Sequence, residues 1–216
     1  MIDIAPRPSE DTMGEDIYQC MRPHGDDGVR TIEEMNEGHT PQIMWGMDHL
    51  PAISPKRILD VGCGGGIFTR IVLERFPDAS ADAIDISELC VDYSRRYNSS
   101  FIEAARLNVQ IANVMDLPFD DSTFDLVVSN ASHFFWSDLR KGLEEISRVT
   151  RKGGIVCLTA GIHFENGPTD EQRKELEGVT NMITDEAMKE LMGSVCLKTS
   201  VYSNDNGFCT YIAEKV

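Results

Sequence analysis

Three glycines at alternate positions, Gly62, Gly64 and Gly66, follow a short apolar run that ends with Asp60 and Val61. Glycine adopts positive φ without a steric penalty and lets a ligand approach the main chain closely. Because a helix-like pattern follows the glycines, the loop would also present the free N–H groups and the positive dipole end of a helix. The pattern predicts a strand, a tight loop and a helix that hold a nucleotide-like ligand with an acidic end.

A second acid, Asp85, stands at the end of the next apolar run. A carboxylate at that place accepts hydrogen bonds from both ribose hydroxyls of a bound nucleoside. Dinucleotide sites have the spacing G-x-G-x-x-G, whose last position would here be Ile67, whereas this chain has G-x-G-x-G. The loop and the acid by themselves leave two ligand classes open, namely dinucleotides such as NAD and other nucleosides.

From residue 56 onward, apolar runs alternate with helical patterns. Five strands are predicted, with helices between them: Arg57–Val61, Ala79–Ile86, Asn108–Ala112, Phe124–Ser129 and Ile155–Ala160. Helical crossovers between strands are typical of a parallel, doubly wound sheet that is covered on both faces. Two further predicted strands, Val195–Tyr202 and Phe208–Ala213, flank the turn residues Asn204–Gly207, which favours an antiparallel hairpin at the sheet edge.

The first 55 residues have a different pattern. Residues 1–30 are polar and irregular, and they include the turn-forming run Gly25–Gly28. Thr31 begins a capping box, and Gly38 is suited to end the helix. Thr40 followed by proline then predicts a second short helix. We therefore expect residues 1–55 to form an N-terminal helical cap segment and residues 56–216 to form the ligand-binding domain.

Composition disfavours several classes of protein. A net charge of −16 over 216 residues disfavours a nucleic-acid partner, because phosphate binding uses clustered Lys and Arg. No apolar run is long enough to span a membrane, and the N-terminus lacks the basic start and apolar run of a signal peptide. The six scattered cysteines form no C-x-x-C pair, so we expect reduced thiols, no metal site and a cytoplasmic location.

Four segments of the chain occur in an order and spacing that characterise one family: Leu59–Gly66, Ala83–Ser87, Asp116–Val127 and Arg148–Gly154. With them the chain resembles the class I S-adenosylmethionine (SAM) dependent methyltransferases, in particular the small-molecule branch that includes ubiquinone and menaquinone C-methyltransferases. The resemblance covers roughly residues 56–160. It implies an α/β fold, a doubly wound Rossmann-like seven-stranded sheet that is mostly parallel, with an antiparallel C-terminal hairpin and helices on both faces.

The resemblance also implies how SAM is held. The cofactor-binding residues that it implies are Asp60, Gly62, Cys63, Gly64, Gly66, Asp85, Ile86, Asn113, Val114 and Asn130. Asp85 would bind the ribose, so we expect Asp85→Ala to weaken SAM binding while leaving the fold intact. Asn113 stands where many relatives have an aspartate, so its oxygen would accept from the adenine amino group without charge assistance. Asn130 would lie near the methionine part and the transferred methyl group.

The implied activity is transfer of a methyl group from SAM to a small-molecule acceptor, which leaves S-adenosylhomocysteine (SAH). A base is needed only if the acceptor loses a proton, so no catalytic residue is assigned. Candidates on the substrate side are His39, Trp45 and His133, with His163 after the fifth strand, and each also has a purely structural interpretation. The acceptor atom and the oligomeric state stay open. Two alternatives also stay open, a non-catalytic SAM-binding regulatory module and an NAD-dependent oxidoreductase.

Overall fold

A computed structural model describes residues 19–161, 165, 169–170 and 181–216 of the chain. The strands are β1 Arg57–Val61, β2 Ser80–Asp85, β3 Leu107–Ile111, β4 Phe124–Asn130, β5 Thr150–Ala160, β6 Leu197–Ser203 and β7 Cys209–Lys215. The α-helices are α1 Gly25–Met47, α2 Ile67–Arg75, α3 Glu88–Tyr97, α4 Ser99–Glu103, α5 Leu139–Val149 and α6 Asp185–Ser194. A short 3-10 helix, His133–Phe135, follows β4. The candidate His163 lies outside the described residues.

The seven strands form one sheet in the order β3-β2-β1-β4-β5-β7-β6. Strands β1 to β5 pair in parallel, whereas β7 pairs antiparallel with both β5 and β6. The predicted fold class is therefore confirmed. The strand order reverses between β1 and β4, and in an open α/β sheet this reversal leaves a crevice beyond the carboxyl ends of the strands.

Both faces of the sheet are buried under helices, as the continuous apolar strands predict. Side chains alternate along a strand, so on β1 Leu59 faces one core and Ile58 faces the other. The first core includes Leu143 from α5 and Met188 from α6. The second includes Ile43 from α1, which fixes the N-terminal helix against the sheet.

The prediction of two short N-terminal helices is wrong, because a single helix of 23 residues, α1, passes straight through Pro41. The Gly25–Gly28 run is its first turn, and Thr31 lies inside the helix, where its hydroxyl donates to the Asp27 carbonyl. Burial of one face against the body of the protein stabilises the helix beyond what local propensity predicts. The Thr40 hydroxyl donates to the Asn36 carbonyl, which adds a bond just before the proline.

Smaller differences lie at the ends of the elements. Strand β5 begins at Thr150, five residues before the predicted start, and includes Gly153 at a φ of 73°. The other strand bounds agree with the prediction to within two residues, which is the uncertainty of fraying ends. No helix within the described part of the chain combines the length and the apolar character needed to cross a membrane.

Candidate active site

A cavity of about 600 Å³ lies at the carboxyl ends of β1, β2 and β4, with α1 along one side. This volume is within the range of small-molecule and cofactor sites. Nine of the ten predicted cofactor-binding residues line the cavity: Asp60, Gly62, Cys63, Gly64, Asp85, Ile86, Asn113, Val114 and Asn130. Gly66 is behind the wall, where its carbonyl accepts a hydrogen bond from the Asn98 side chain at 3.0 Å. The predicted residues thus converge on one site, although strands far apart in sequence contribute them.

The glycine loop has the left-handed backbone that its sequence predicts. Gly62, Gly64 and Gly66 have φ values of 70°, 50° and 84°. A Cβ atom on Gly62 would collide with the side chain of Ser132, whereas one on Gly64 would meet nothing within 4 Å. Glycine is therefore required at position 62 both because φ is positive there and because a side chain would collide with Ser132.

Asp85 joins the loop to the end of β2. Its two carboxylate oxygens accept hydrogen bonds from the backbone N–H groups of Gly64 and Ser87, each at 2.9 Å. Burial raises the pKa of Asp85, and the hydrogen bonds from these N–H groups partly offset the rise. Asp85→Ala would leave both N–H groups without this acceptor. The expectation that only ligand contacts would be lost was therefore wrong, because Asp85 also holds the site together.

Asp60 lies deeper in the cavity wall and is only 1% exposed. One carboxylate oxygen accepts from the Thr69 hydroxyl at 2.6 Å, while the other, Oδ1, is buried without a protein partner. Burial raises the pKa of Asp60 to about 7, which the Thr69 hydrogen bond counteracts only in part. An unpartnered carboxylate oxygen at a cavity wall is suited to accept hydrogen bonds from a positively charged ligand group.

Asn113, Val114 and Ile86 form the opposite end of the cavity. The Asn113 side-chain oxygen already accepts from the backbone N–H of Met115 at 3.0 Å. Because an amide oxygen has two lone pairs, one remains for a ligand donor. Ile86 is 37% exposed and Val114 is 7% exposed, so Ile86 offers the larger free apolar surface to a flat ring.

Asn130 has a side-chain orientation that its neighbours fix. Its Oδ1 accepts from Gln42 Nε2 at 2.8 Å and from the Thr159 hydroxyl at 2.7 Å. These two bonds occupy both lone pairs of the oxygen, so only the NH₂ group remains to serve a ligand. A ligand group that hydrogen-bonds with Asn130 must therefore act as the acceptor.

Helix α1 closes one side of the cavity and contacts both the glycine loop and the end of β4. Asn36 Nδ2 donates to the Gly65 carbonyl at 3.2 Å, and Gln42 donates to Asn130. Both side chains are buried, and His39 between them lines the cavity. Burial lowers the pKa of His39, which favours its neutral form at pH 7. Neither amide was predicted to belong to the site, because each has its partner far away in sequence.

The other two substrate-side candidates lie away from the cavity that the described residues form. The His133 ring is 2% exposed and packs against Phe134, Trp136 and Tyr211. Burial lowers its pKa to about 4, so the ring is neutral at physiological pH. Trp45 packs against His49, with ring centroids 4.5 Å apart. Phe134 and Phe135, which follow His133 in the chain, line the cavity, whereas His133 does not.

Comparison with known proteins identifies the class to which this architecture belongs. Residues 58–154 match the model of a family described as a methyltransferase domain. A malonyl-[acyl-carrier protein] O-methyltransferase of Acetivibrio thermocellus is 35% identical over 108 residues, which are 50% of this chain and 36% of the relative. A demethylmenaquinone methyltransferase of Symbiobacterium thermophilum is 36% identical over 109 residues, which are 50% of this chain and 43% of the relative. The chain thus spans less than half the length of these two relatives.

A solved structure shows that the similarity extends beyond the matched segment. Geranyl diphosphate C-methyltransferase from Streptomyces coelicolor A3(2), in complex with Mg²⁺, geranyl diphosphate and SAH, superposes with a TM-score of 0.70. The superposition covers 89% of this chain and 85% of that chain at 19% sequence identity. At that identity the superposition shows a shared fold.

The sheet order, the glycine loop and these relatives confirm the predicted class. Residues 58–154 match a methyltransferase domain, and over this segment the chain is similar to class I SAM-dependent methyltransferases. The cofactor of this class is SAM, so the predicted cofactor is confirmed at the level of the family.

Proposed function

We propose that this protein transfers the methyl group of SAM to a small-molecule acceptor and releases SAH. The observation that carries the proposal is the unpartnered Asp60 Oδ1 in the wall of the same cavity that Asp85 and the glycine loop line. Asp60 is suited to a cationic donor, and Asp85 is suited to the hydroxyl groups of a sugar. A ligand that contacts both carboxylates and the glycine loop between them would carry these two groups joined by a linker. SAM has these groups in this order, and when bound it supplies a methyl group activated by a sulfonium.

Each end of SAM has matching residues in this proposal. The methionine ammonium donates to Asp60, and the ribose hydroxyls donate to the lone pairs that Asp85 has left. The adenine lies on Ile86 and Val114, with its amino group towards Asn113. The NH₂ group of Asn130 donates to the methionine carboxylate, because its oxygen already accepts two protein hydrogen bonds.

The cavity also defines the kind of partner that we propose. The cavity beside α1, about 600 Å³ in volume, has a size suited to small-molecule ligands. The net charge of −16 disfavours nucleic acid, and the acidic composition and the absence of a C-x-x-C pair among the six cysteines agree with a cytoplasmic location. Within this proposal, residues 1–55 act as the cap over the acceptor and residues 56–216 as the SAM-binding methyltransferase domain.

Isothermal titration of the purified protein with SAM, SAH and NADH tests the proposal. We expect SAM and SAH to bind and NADH to give no heat. Release of SAH in the presence of a mixture of small acceptors then separates an enzyme from a regulatory SAM-binding module. Absence of SAM and SAH binding at millimolar ligand would contradict the proposed function.

A further inference from the structure

The face of α1 that covers the cavity carries three polar side chains, Asn36, His39 and Gln42. At about 100° per residue these positions span an arc of about 120°, with His39 in the middle. Asn36 is hydrogen-bonded to Gly65 of the glycine loop, and Gln42 is hydrogen-bonded to Asn130 at the end of β4. His39 therefore lies over the space between the glycine loop and Asn130.

That space is where the proposed function places the methionine part of SAM and its reactive methyl group. Strands β1 and β4 are neighbours in the sheet, so the two anchors of α1 stand on either side of one crevice. A side chain midway between the anchors overhangs this crevice. Among the predicted substrate-side candidates that the structure describes, His39 lines the cavity, and Trp45 and His133 do not.

Apart from the polar side chains of Asn36, His39 and Gln42, part of the cavity wall is apolar. Met35 and Ile43 of α1 line the cavity from one side, and Phe134 and Phe135 of the 3-10 helix line it from another. Two phenyl rings and two flexible aliphatic chains favour a flat, apolar molecule over a hydrated ion. The charged side chains in the wall are Asp60 and Asp85, which the cofactor occupies in the proposed function, and Arg22.

We propose that the acceptor is an uncharged aromatic alcohol, and that His39 accepts the proton of its hydroxyl group during methyl transfer. This inference rests on the proposed function. The hydroxyl proton moves to a ring nitrogen of His39, and the oxygen forms a bond to the methyl carbon. The bond from that carbon to the sulfonium sulfur breaks, and its electron pair stays on sulfur, which gives the neutral thioether SAH. The His39 imidazolium then returns its proton to solvent.

The experiment compares His39→Gln with His49→Gln. The second variant is the control, because His49 is not among the described residues that line the cavity. Two acceptors are used at about pH 8.5: 2-naphthol, which is still mostly protonated at this pH, and 4-nitrophenol, which is largely ionised there. We expect His39→Gln to lower kcat for 2-naphthol by about 100-fold, the usual effect of a general base, and to change kcat for 4-nitrophenol much less. His49→Gln should leave both rates unchanged.

The pH profile at saturating SAM gives a second readout. For 2-naphthol, kcat of the wild-type protein should fall at low pH as His39 gains a proton, and this fall should be absent in His39→Gln. Because burial lowers the pKa of His39, the fall should lie below its usual value of 6.5. The other titratable groups of the cavity wall are Asp60, Asp85, Arg22, Cys20, Cys63 and Cys90. Because SAM is saturating, titration of Asp60 does not change the rate through weaker cofactor binding.

Acceptor binding supplies a readout that does not depend on activity. Calorimetry of the SAH complex with 2-naphthol, 2-naphthoate and 2-naphthylmethylamine should show binding of the neutral alcohol at least tenfold tighter than either ion. Preference for the carboxylate, which Arg22 would favour, or failure to bind 2-naphthol would overturn the acceptor class. Full 2-naphthol methylation by His39→Gln would overturn the role of His39. Failure of the proposed function is distinct, since then SAM and SAH would not bind at all.

Discussion

The two sides of the cavity are built by different means. The floor, made of the Asp60–Gly66 loop and Asp85, is held by backbone hydrogen bonds: the N–H groups of Gly62 and Cys63 both donate to the Ile84 carbonyl. The roof, helix α1, is tied to the floor side by two amide side chains, those of Asn36 and Gln42. A site built from rigid backbone is suited to a single ligand. A helix that is anchored by two side chains can carry different residues at its other positions, and so can suit different ligands. We infer that the floor determines the cofactor and the roof determines the acceptor.

Gly62→Ala should have the largest effect on the free energy of unfolding and should distort the glycine loop of the floor. A Cβ at this position, where φ is 70°, is strained by about 1–2 kcal/mol and also collides with Ser132, which adds about 1–3 kcal/mol. Urea unfolding should show the sum of both, and SAM binding should be lost. Gly153→Ala is the matched control, because φ there is 73° but no atom lies within 4 Å. Equal losses in the two variants would show that packing against Ser132 is unimportant.

Asp85→Ala should weaken SAM binding by about 2–3 kcal/mol, or roughly 30- to 150-fold in Kd, because hydrogen bonds to a charged group are lost. It should also lower the free energy of unfolding by about 1–3 kcal/mol, since Gly64 and Ser87 lose an acceptor. Asp85→Asn keeps one side-chain oxygen and should lie between wild type and Asp85→Ala in both measurements. Calorimetry and thermal melts check the two effects separately, and unchanged SAM affinity in Asp85→Ala would show that the ribose lies elsewhere.

The pH dependence of SAM affinity should follow Asp60, whose pKa in the free protein is raised to about 7. If only the carboxylate binds the ammonium, Kd should rise about tenfold for each pH unit below that value. The folded-state pKa is above the unfolded one, so Asp60 destabilises the free protein progressively as pH rises from about 4 to 7. Asp60→Asn should remove both dependences. A pH-independent Kd for the wild-type protein between pH 5 and 8 would contradict the role of Asp60.

Gln42→Leu should have the smallest effect on SAM and should act on the roof. It removes one hydrogen bond to Asn130, whose oxygen keeps the bond from Thr159, so we expect a loss of about 1 kcal/mol in unfolding free energy. SAM affinity should change less than threefold, while KM for the acceptor rises as α1 loosens. Gln110→Leu, on the edge strand β3, is the control for loss of a surface amide. A larger change in SAM Kd than in acceptor KM would show that roof and floor do not act separately.

Much of the floor is local in sequence and could be predicted. Gly62, Gly64 and Asp85 lie within a single strand-loop-helix-strand unit, where φ requirements and strand ends are readable from residue types. Ser87 and Thr184 cap helices, and such caps can be predicted from the sequence because an N-cap depends on residues only three positions apart. The prediction of two helices for the roof is wrong, because Gly38 is a helix-ending signal and Thr40–Pro41 a helix-starting signal, and burial of Ile32 and Ile43 overrides both.

By itself, the sequence determined the fold class, the cofactor family and the positions of the residues at the strand ends. Periodicity and turn chemistry act over a few residues, so they are visible in the chain. Only the tertiary structure decided that α1 is continuous, that Asn36 and Gln42 anchor it, and that His39 lines the cavity while His133 is buried behind it. These outcomes depend on which distant surfaces are buried together, and burial of that kind leaves no local pattern in the sequence.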